Sequence, residues 1–151
     1  MRAQDVDIWA DNEEIWAVDW QTDELVWRLE THGPIGPQAV VSSETLFVTS
    51  GLPFQLTAVD LRSGRTLWSY PERIYSNVVS SGRTVYALRG DGRLVALDAS
   101  SGETIGAVEL DPALATGEGR MPTYWLAACD SSLYLYIGES SELIALRLRP
   151  R

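Results

Sequence analysis

His32 is the only histidine of the 151-residue sequence, so it is the only imidazole available for proton transfer near neutral pH. A general-base mechanism that uses imidazole has to use this side chain. Gly33 and Pro34 follow it directly, and both residue types are common in turns. This context favours a solvated loop histidine, and we keep His32 as a weak candidate for a catalytic residue.

Arginine supplies every cationic side chain, because the sequence contains no lysine. Arg73, Arg89 and Arg120 fall in or beside predicted connecting segments, where planar guanidinium groups could together bind an anion. The alternative is that each is an ordinary surface arginine of an acidic protein, and the sequence alone favours that alternative. The anion site is a hypothesis that requires the three arginines to lie close together.

Four more side chains complete the set of candidate ligand contacts. Tyr75 and Asp91 lie in predicted connecting segments, near Arg73 and Arg89. Tyr124 and Trp125 begin a predicted inner strand, where an aromatic ring can line a central channel. Core packing is the other interpretation of the Tyr124–Trp125 pair, and it is the favoured one.

The sequence lacks the residue patterns of several common catalytic and metal sites. Cys129 is the only cysteine, so together with one histidine it cannot form a Cys/His zinc site within one chain. Residues 90–92 read GDG, which a tight hairpin turn explains without calcium. Residues 116–120 read TGEGR and lack the Lys-Ser/Thr ending of a phosphate loop, and no serine stands in G-x-S-x-G. We therefore predict no metal and no resident cofactor.

The net charge of the sequence argues against two classes of binding partner. The formal net charge is −9, and nucleic acids and anionic membranes both require a basic surface. We therefore predict no nucleic-acid partner and no membrane partner. The segment MRAQDVDIWADNEE has no apolar core of a signal peptide. This predicts a cytoplasmic protein as the sequence stands, or an extracytoplasmic one if the chain is a domain excised from an exported protein.

A recurring phrase provides the scaffold for these residues. Residues 17–27 read AVDWQTDELVW, residues 58–68 read AVDLRSGRTLW, and residues 96–106 read ALDASSGETIG. A degraded fourth copy, ELIALRLRP, occupies residues 142–150. The aspartates of the first three copies, Asp19, Asp60 and Asp98, are 41 and 38 residues apart. Periods near 40 residues are typical of repeat architectures.

Each copy is predicted to form a strand, a tight turn and a second strand. The first strands are expected at 15–20, 56–61, 94–99 and 143–148. In the first three copies the aspartate carboxylate is expected to accept bonds from backbone N–H groups of the turn. Asp23, Gly64 and Gly102 then stand where a left-handed backbone is needed. Trp27 and Trp68 follow on the second strand, and Gly106 takes that position in the third copy.

Further strands are expected upstream of the phrase in later copies, at 38–41, 45–49, 76–79, 84–88, 123–129 and 132–138. Four antiparallel strands in about 40 residues are typical of a propeller blade. We therefore predict an all-β protein in which residues 1–151 form one β-propeller domain of four-stranded blades. Inter-blade loops at 30–38, 70–76 and 111–122 are expected on the same face as the hairpins at 50–55 and 89–93. Loops on a rigid scaffold commonly carry binding sites, so a ligand is expected on this loop face.

The pattern A-[VL]-D-x-x-[ST]-G-x-x-x-W resembles the blade motif of the pyrroloquinoline-quinone (PQQ)-like β-propeller superfamily. Ala58, Asp60, Gly64 and Trp68 carry it most completely. The resemblance implies that the tryptophan packs against the adjacent blade, where the recurring alanine would receive it. The superfamily includes quinoprotein dehydrogenases, an outer-membrane assembly lipoprotein and bacterial sensor domains. None of the superfamily's cofactor residues maps onto this sequence, so quinone-dependent oxidation is not expected.

The number of copies predicts a second chain. The first copy lacks an innermost strand and the last lacks an outermost strand in this interpretation, which leaves roughly three and a half to four blades per chain. The resemblance implies seven or eight blades in a closed ring. An open half-ring would expose apolar blade faces, so we predict a homodimer in which Val6–Ala10 joins or packs beside the partner's last blade. A piece of a longer propeller is the alternative.

Three functions are compatible with these observations. The first is a non-catalytic scaffold that binds a protein or a small-molecule ligand on its loop face. The second is a small biosynthetic enzyme of the isomerase or cyclase type, which would use His32 and an arginine clamp. The third is a sensor or accessory domain of a larger propeller protein. The repeated phrase itself predicts architecture and does not distinguish among them.

Overall fold

The computed structural model describes residues 2–3, 5–36, 39–52, 54–110, 124–129, 131–138 and 140–148. They fall into two compact units, Met1–Pro71 and Glu72–Arg151. Within these described ranges every regular element is a β-strand. No helix of the described residues is long and apolar enough to cross a membrane.

The first unit contains two antiparallel sheets, each with four strands in chain order. The first sheet consists of β1 (Arg2–Ala3), β2 (Val6–Ala10), β3 (Glu14–Asp19) and β4 (Leu25–Glu30). The second consists of β5 (Val40–Ser42), β6 (Thr45–Ser50), β7 (Phe54–Asp60) and β8 (Thr66–Ile74). The last three residues of β8 belong to the second unit.

The second unit also contains two antiparallel sheets. One is four-stranded, with β9 (Val79–Ser81), β10 (Thr84–Leu88), β11 (Arg93–Asp98) and β12 (Thr104–Glu109). The other has three strands among the described residues, β13 (Tyr124–Cys129), β14 (Ser132–Ile137) and β15 (Glu142–Arg147). Meandering sheets of this size are typical of propeller blades, and the all-β prediction is confirmed.

Three local predictions are wrong. The first sheet does not lack a strand, because Arg2 and Ala3 pair with Asp7 and Val6. Residues 70–74 are not a loop, since β8 continues to Ile74; Pro71 is tolerated there because β8 is an edge strand. The strand expected at 76–79 begins only at Val79, because the segment before it contacts β13 instead, with Ser76 in a parallel bridge to Tyr124.

Alternating apolar side chains form a core cluster in each unit. The cluster of the first unit includes Ile8, Ile15, Ala17, Trp27, Leu46, Val48, Val59 and Leu61. The cluster of the second includes Leu88, Leu94, Leu110, Tyr124, Leu126, Leu133, Leu135 and Ile137. Both sets join side chains from the two sheets of their unit, which is how blades bury their apolar faces.

The turn after each repeated aspartate has the predicted geometry. The Asp19 carboxylate accepts hydrogen bonds from the backbone N–H groups of Gln21 (2.8 Å) and Thr22 (3.0 Å). Equivalent bonds reach Asp60 from Ser63 and Asp98 from Ser100 and Ser101. The fourth residues of these turns, Asp23, Gly64 and Gly102, have φ of 58°, 69° and 74°. Both sequence predictions for the turns are therefore confirmed.

Candidate functional site

Four of the predicted ligand contacts, Arg73, Tyr75, Arg89 and Asp91, come together in the second unit. The end of β8 lies beside the β10–β11 hairpin, where Ile74 and Arg89 form an antiparallel bridge. The Gly90 N–H donates to the Arg73 carbonyl at 3.1 Å, and the Tyr75 N–H donates to the Leu88 carbonyl at 2.9 Å. We call Glu72, Arg73, Tyr75, Arg89 and Asp91 the loop cluster.

The tyrosine of the loop cluster packs on a glycine. A Cβ added at Gly90 would lie 2.5 Å from Cε2 of Tyr75, closer than any side chain could approach. Only a glycine therefore allows the half-buried ring of Tyr75 to lie against the hairpin backbone. The ring fixes the position of the hairpin that carries Arg89 and Asp91.

Ion pairs organise the charged members of the loop cluster. Nη2 of Arg89 lies 2.9 Å from Oδ2 of Asp91 and 3.6 Å from Oε2 of Glu72. Nε of Arg93 approaches the same Asp91 oxygen at 4.0 Å. The Arg89 side chain is 22% exposed, whereas Asp91 is 42% and Glu72 53% exposed. Two carboxylates thus lie beside Arg89 and offset its charge, which makes it a poor ligand for a further anion.

The proposed arginine clamp is only partly visible. The Arg73 side chain is exposed at the surface. Arg89 is occupied by the two carboxylates just described. Arg120, the third member, lies outside the described residues, as does the 111–122 loop that carries it. The joint anion site therefore stays a prediction.

His32 lies in a well-fixed loop of the first unit. The loop is held by backbone bonds from Thr31 N–H to the Glu13 carbonyl (2.7 Å) and from Ile35 N–H to the Asn12 carbonyl (3.1 Å). The His32 side chain is exposed, and within the described residues it makes no hydrogen bond or ion pair. This is the environment of a solvated loop histidine, and the catalytic role of His32 stays a prediction.

Tyr124 and Trp125 point to opposite faces of the last sheet. Tyr124 is 6% exposed and belongs to the core of the second unit, whereas Trp125 is 41% exposed. Successive residues of a strand alternate between faces, so one of the pair is buried and the other is not. Tyr124 therefore packs in the core, and only Trp125 is placed to contact a partner.

An exposed aromatic face of the last sheet is the feature that sequence reasoning missed. Trp125, Tyr136 and Leu143 are aligned across β13, β14 and β15, and Tyr134 lies two residues from Tyr136 on the same face. Their exposures run from 36% for Tyr134 to 67% for Leu143. We call these four side chains the aromatic face. The alternation of side chains along these strands could be predicted from the sequence. Periodicity does not indicate, however, which face of a sheet is covered by other residues.

The residues that the structure describes contain no recognisable metal site. There, no group of three or more His, Cys, Asp or Glu side chains is placed to hold a metal ion. Cys129 is exposed.

Comparison with known proteins places the chain among propeller proteins. A family model described as outer membrane protein assembly factor BamB matches residues 11–149. The BamB of Kangiella koreensis is 26% identical over an alignment of 134 residues, and the match covers 82% of this chain and 32% of that protein. The chain thus spans about a third of the length of the curated relative it matches.

Solved structures agree with the assignment of the fold. BamB from Moraxella catarrhalis matches with a TM-score of 0.73 at 21% identity, over 95% of this chain and 43% of that one. The computationally designed protein Ika4 matches with a TM-score of 0.75 at 14% identity, over 98% of this chain and 88% of that one. At these identities the likeness concerns the fold alone.

Proposed function

Because the chain belongs to the PQQ-like repeat family described as outer membrane protein assembly factor BamB, we propose that it is a non-catalytic β-propeller scaffold that binds a protein partner. The binding surface is the loop cluster of the second unit. The observation that supports this proposal most is that the β10–β11 hairpin and the end of β8 bring four predicted contact residues to one place.

The chemistry of the loop cluster suits recognition of a protein surface. Its charged groups are of both signs: Glu72, Arg73 and Asp91 are exposed, and Arg89 pairs with the two carboxylates. The Tyr75 ring packs on Gly90 of the hairpin that carries Arg89 and Asp91, and backbone bonds join this hairpin to Arg73 and Tyr75. A prearranged polar surface of this kind favours specificity and rapid association with a complementary partner.

The names of the relatives indicate the kind of partner. Both the family model and the Kangiella koreensis relative are named as outer membrane protein assembly factors. We therefore propose that the partner acts in outer-membrane protein assembly and that the chain works outside the cytoplasm. The cytoplasmic location expected from the missing signal peptide has no support in these comparisons, and they fit the extracytoplasmic alternative.

Site-specific photocrosslinking in the producing cells tests the scaffold. A photoreactive phenylalanine analogue replaces Arg73 in one variant and Arg62 in a matched control, because both are exposed arginines and Arg62 lies on a turn of the first unit. We expect a discrete protein adduct from position 73, identified by mass spectrometry, and none from position 62. In a second variant, Arg89→Glu should remove the adduct, since it reverses the charge that holds Glu72 and Asp91. Equal adducts at both positions, or none at position 73, would refute the proposal.

A second copy of the chain is the other proposed partner, and the aromatic face is the observation that favours it. Trp125, Tyr134, Tyr136 and Leu143 form a contiguous apolar strip on one sheet, and such strips on soluble proteins commonly mark interfaces. The first sheet also exposes large side chains, with Trp9 at 58% and Leu25 at 60%. We propose that the aromatic face of one copy packs on the first sheet of another, so that two half-propellers complete a ring of about seven or eight blades.

Sedimentation of paired leucine variants tests the homodimer. Leu143 in the aromatic face and Leu52 in a loop of the first unit are almost equally exposed, at 67% and 68%. We expect the wild type to sediment as a dimer at micromolar concentration, Leu143→Glu as a monomer, and Leu52→Glu as a dimer. A compact wild-type monomer, or a Leu143→Glu protein that stays dimeric, would contradict the proposal.

A further inference from the structure

The tryptophan of the first copy shows what this position of the repeat does. Trp27 is 7% exposed, and its indole N–H donates to the Leu61 carbonyl at 2.8 Å. Its ring lies on the backbone of Gly64, where an added Cβ would be 2.6 Å from Cδ2 of the indole. The indole thus fills the space between its own sheet and the turn that joins β7 and β8 of the second sheet.

The third copy has the same backbone around this position but no ring. Gly106 is paired with Ala96 across β11 and β12, as Trp27 is paired with Ala17 across β3 and β4. The register shifts immediately after the alanine in both strand pairs. Gly106 therefore occupies the tryptophan position in structure as well as in sequence.

The backbone that accepts the indole N–H in the first unit also has a counterpart in the second unit. The Leu61 N–H donates to the Glu44 carbonyl at 2.9 Å, and the Leu148 N–H donates to the Ser131 carbonyl at 2.6 Å. The two bonds connect equivalent points of the second and the last sheet. Leu148 thus corresponds to Leu61, the residue whose carbonyl accepts the indole N–H in the first unit.

A cavity occupies the place where the missing indole would lie. It has a volume of about 640 Å³ and is lined by residues that include Tyr86, Ala96, Gly106, Leu146 and Leu148. This volume falls in the range of pockets that bind small organic groups, about 300–1,000 Å³. Backbone geometry does not demand a glycine at 106, since its φ is not among the positive ones. The atom nearest to an added Cβ would be Cβ of Ala96 at 3.8 Å, an ordinary contact.

We propose that this cavity binds an indole ring, which inserts beside Gly106 and donates its N–H to the Leu148 carbonyl. The first unit supports the identity of the ligand, because there the same backbone frame holds an indole that belongs to the chain. The indole comes either from a small molecule or from a tryptophan side chain of another polypeptide. This site is independent of the loop cluster, so either proposal stands if the other fails.

Titration of the ¹⁵N-labelled full chain followed by NMR provides the test, with free indole and N-acetyl-tryptophanamide as probes. With up to about 10 mM probe, which suits the millimolar affinity of so small a ligand, we expect shifts of the Gly106, Ala96 and Leu148 amides. Indene, which lacks the N–H, should bind about fivefold more weakly because one hydrogen bond is lost. Binding of both indole probes would favour a tryptophan side chain as the natural ligand, and binding of free indole alone would favour a small molecule.

Variants that fill the cavity make the proposal falsifiable. Gly106→Trp should abolish the shifts and raise Tm, because the new side chain occupies the site. Gly106→Leu should weaken binding and covers the case in which Gly106→Trp does not fold. Leu67→Trp, in the exposed part of β8, is the matched control and should leave binding unchanged. The proposal is overturned if indole shifts none of the three amides, or if the folded Gly106→Trp protein still binds it.

Discussion

The contact between Trp27 and Gly64 explains at the level of single residues why the phrase is repeated. Gly64 has a positive φ that a turn requires, and it also presents a bare backbone on which the indole lies. The indole N–H then reaches the Leu61 carbonyl, 34 residues further along the chain. One glycine therefore satisfies a conformational demand and a packing demand together.

Gly64→Ala measures both demands, and Gly82→Ala is its matched control. Gly82 also has a positive φ, of 59°, but an added Cβ would meet nothing within 4 Å. We expect Gly82→Ala to lower the free energy of unfolding by about 1–2 kcal/mol through φ alone. Gly64→Ala should lower it by about 2–5 kcal/mol, because overpacking against Trp27 adds to that cost. Urea unfolding gives both values, and equal losses would show that the Trp27 contact contributes nothing.

The hydrogen bonds of the repeated aspartates predict that the folded protein loses stability in acid. Bonds from the side chain and backbone of Ser63 hold the pKa of Asp60 below its ordinary value. Backbone N–H groups of Thr22 and Gln21 lower the pKa of Asp19, and Ser100 acts likewise on Asp98. Since the folded pKa is the lower one, this stabilisation is complete above the unfolded pKa of about 3.9 and is lost as pH falls through the folded pKa.

We therefore expect the thermal midpoint of the wild type to fall as the pH is lowered from about 5 to 2. The triple variant Asp19→Asn, Asp60→Asn, Asp98→Asn should be less stable at pH 7 and should lose less stability over the same range, because amides do not titrate. Differential scanning calorimetry across the series provides the comparison. Parallel pH curves for the two proteins would be inconsistent with this origin of acid sensitivity.

The sequence predicted the chemistry of the turns well and the candidate site only in part. An aspartate followed by Ser and Gly determines its own hydrogen bonds within a few residues. The roles of Asp60 and Gly64 could therefore be predicted from the local sequence. The grouping of Arg73 with Asp91 was predicted only from the strand order, which puts residues 70–76 on the same face as the 89–93 hairpin; no local pattern encodes the backbone contacts that join them. The pairing of Arg89 with Glu72 and Asp91, which reduces its value as an anion ligand, was invisible for the same reason.

At the scale of elements, one asparagine links the segment before β9 to β13 in the second unit. The Asn77 side chain donates to the Leu126 carbonyl at 2.9 Å and accepts from the Leu126 N–H at 2.6 Å. Asn77 is 1% exposed, so water cannot replace these bonds. Ser76 adds a bond from the Leu88 N–H to its hydroxyl oxygen at 2.9 Å. Ser76 also forms a parallel bridge with Tyr124, so residues 76 and 77 contact β13 and β9 begins only at Val79.

Asn77→Ala should destabilise the protein by roughly 2–5 kcal/mol, because it leaves a buried N–H and a buried carbonyl of Leu126 without partners. Asn12 is the matched control, since it is the other asparagine and its side chain is exposed. Asn12→Ala should change the free energy of unfolding by less than about 0.5 kcal/mol. Guanidinium chloride unfolding separates the two. A loss below about 1 kcal/mol for Asn77→Ala would mean that other groups replace its bonds.

Most strands could be predicted because each is encoded by its own alternation and bounded by its own turn. The strand at 84–88 agrees with the sequence prediction at both ends. Errors occurred where a distant contact overrides local preference: Asn77 binds β13, and β8 extends past Pro71 toward the β10–β11 hairpin. Sequence periodicity contains no information on either contact.

At the scale of the whole molecule, the repeat period predicted the propeller class, and the family match confirms it. Function was harder to predict from the sequence, because it depends on residues outside the repeated motif. The loop cluster lies where the end of β8 meets the β10–β11 hairpin, and the aromatic face is formed by residues of the last sheet. Gly106 illustrates the point most simply: a departure from the repeat creates a cavity that no copy of the motif would predict.

Net charge sets the salt dependence of the proposed dimer. Each chain has a formal charge of −9, so two copies repel one another, and the repulsion is strongest at low ionic strength. Added salt shortens the Debye length from about 30 Å at 0.01 M to about 3 Å at 1 M and screens this repulsion. The contact through Trp125, Tyr134, Tyr136 and Leu143 is apolar and does not weaken with salt.

The dimer should therefore become several-fold tighter between about 0.02 and 0.5 M NaCl, as measured by sedimentation equilibrium at pH 7. An interface made of ion pairs would respond in the opposite direction, because salt screens attraction as well as repulsion. Leu52→Glu, which adds one negative charge away from the aromatic face, should steepen the salt dependence without abolishing the dimer. Dissociation on addition of salt would show that charged contacts hold the copies together, and it would exclude the aromatic face as the main interface.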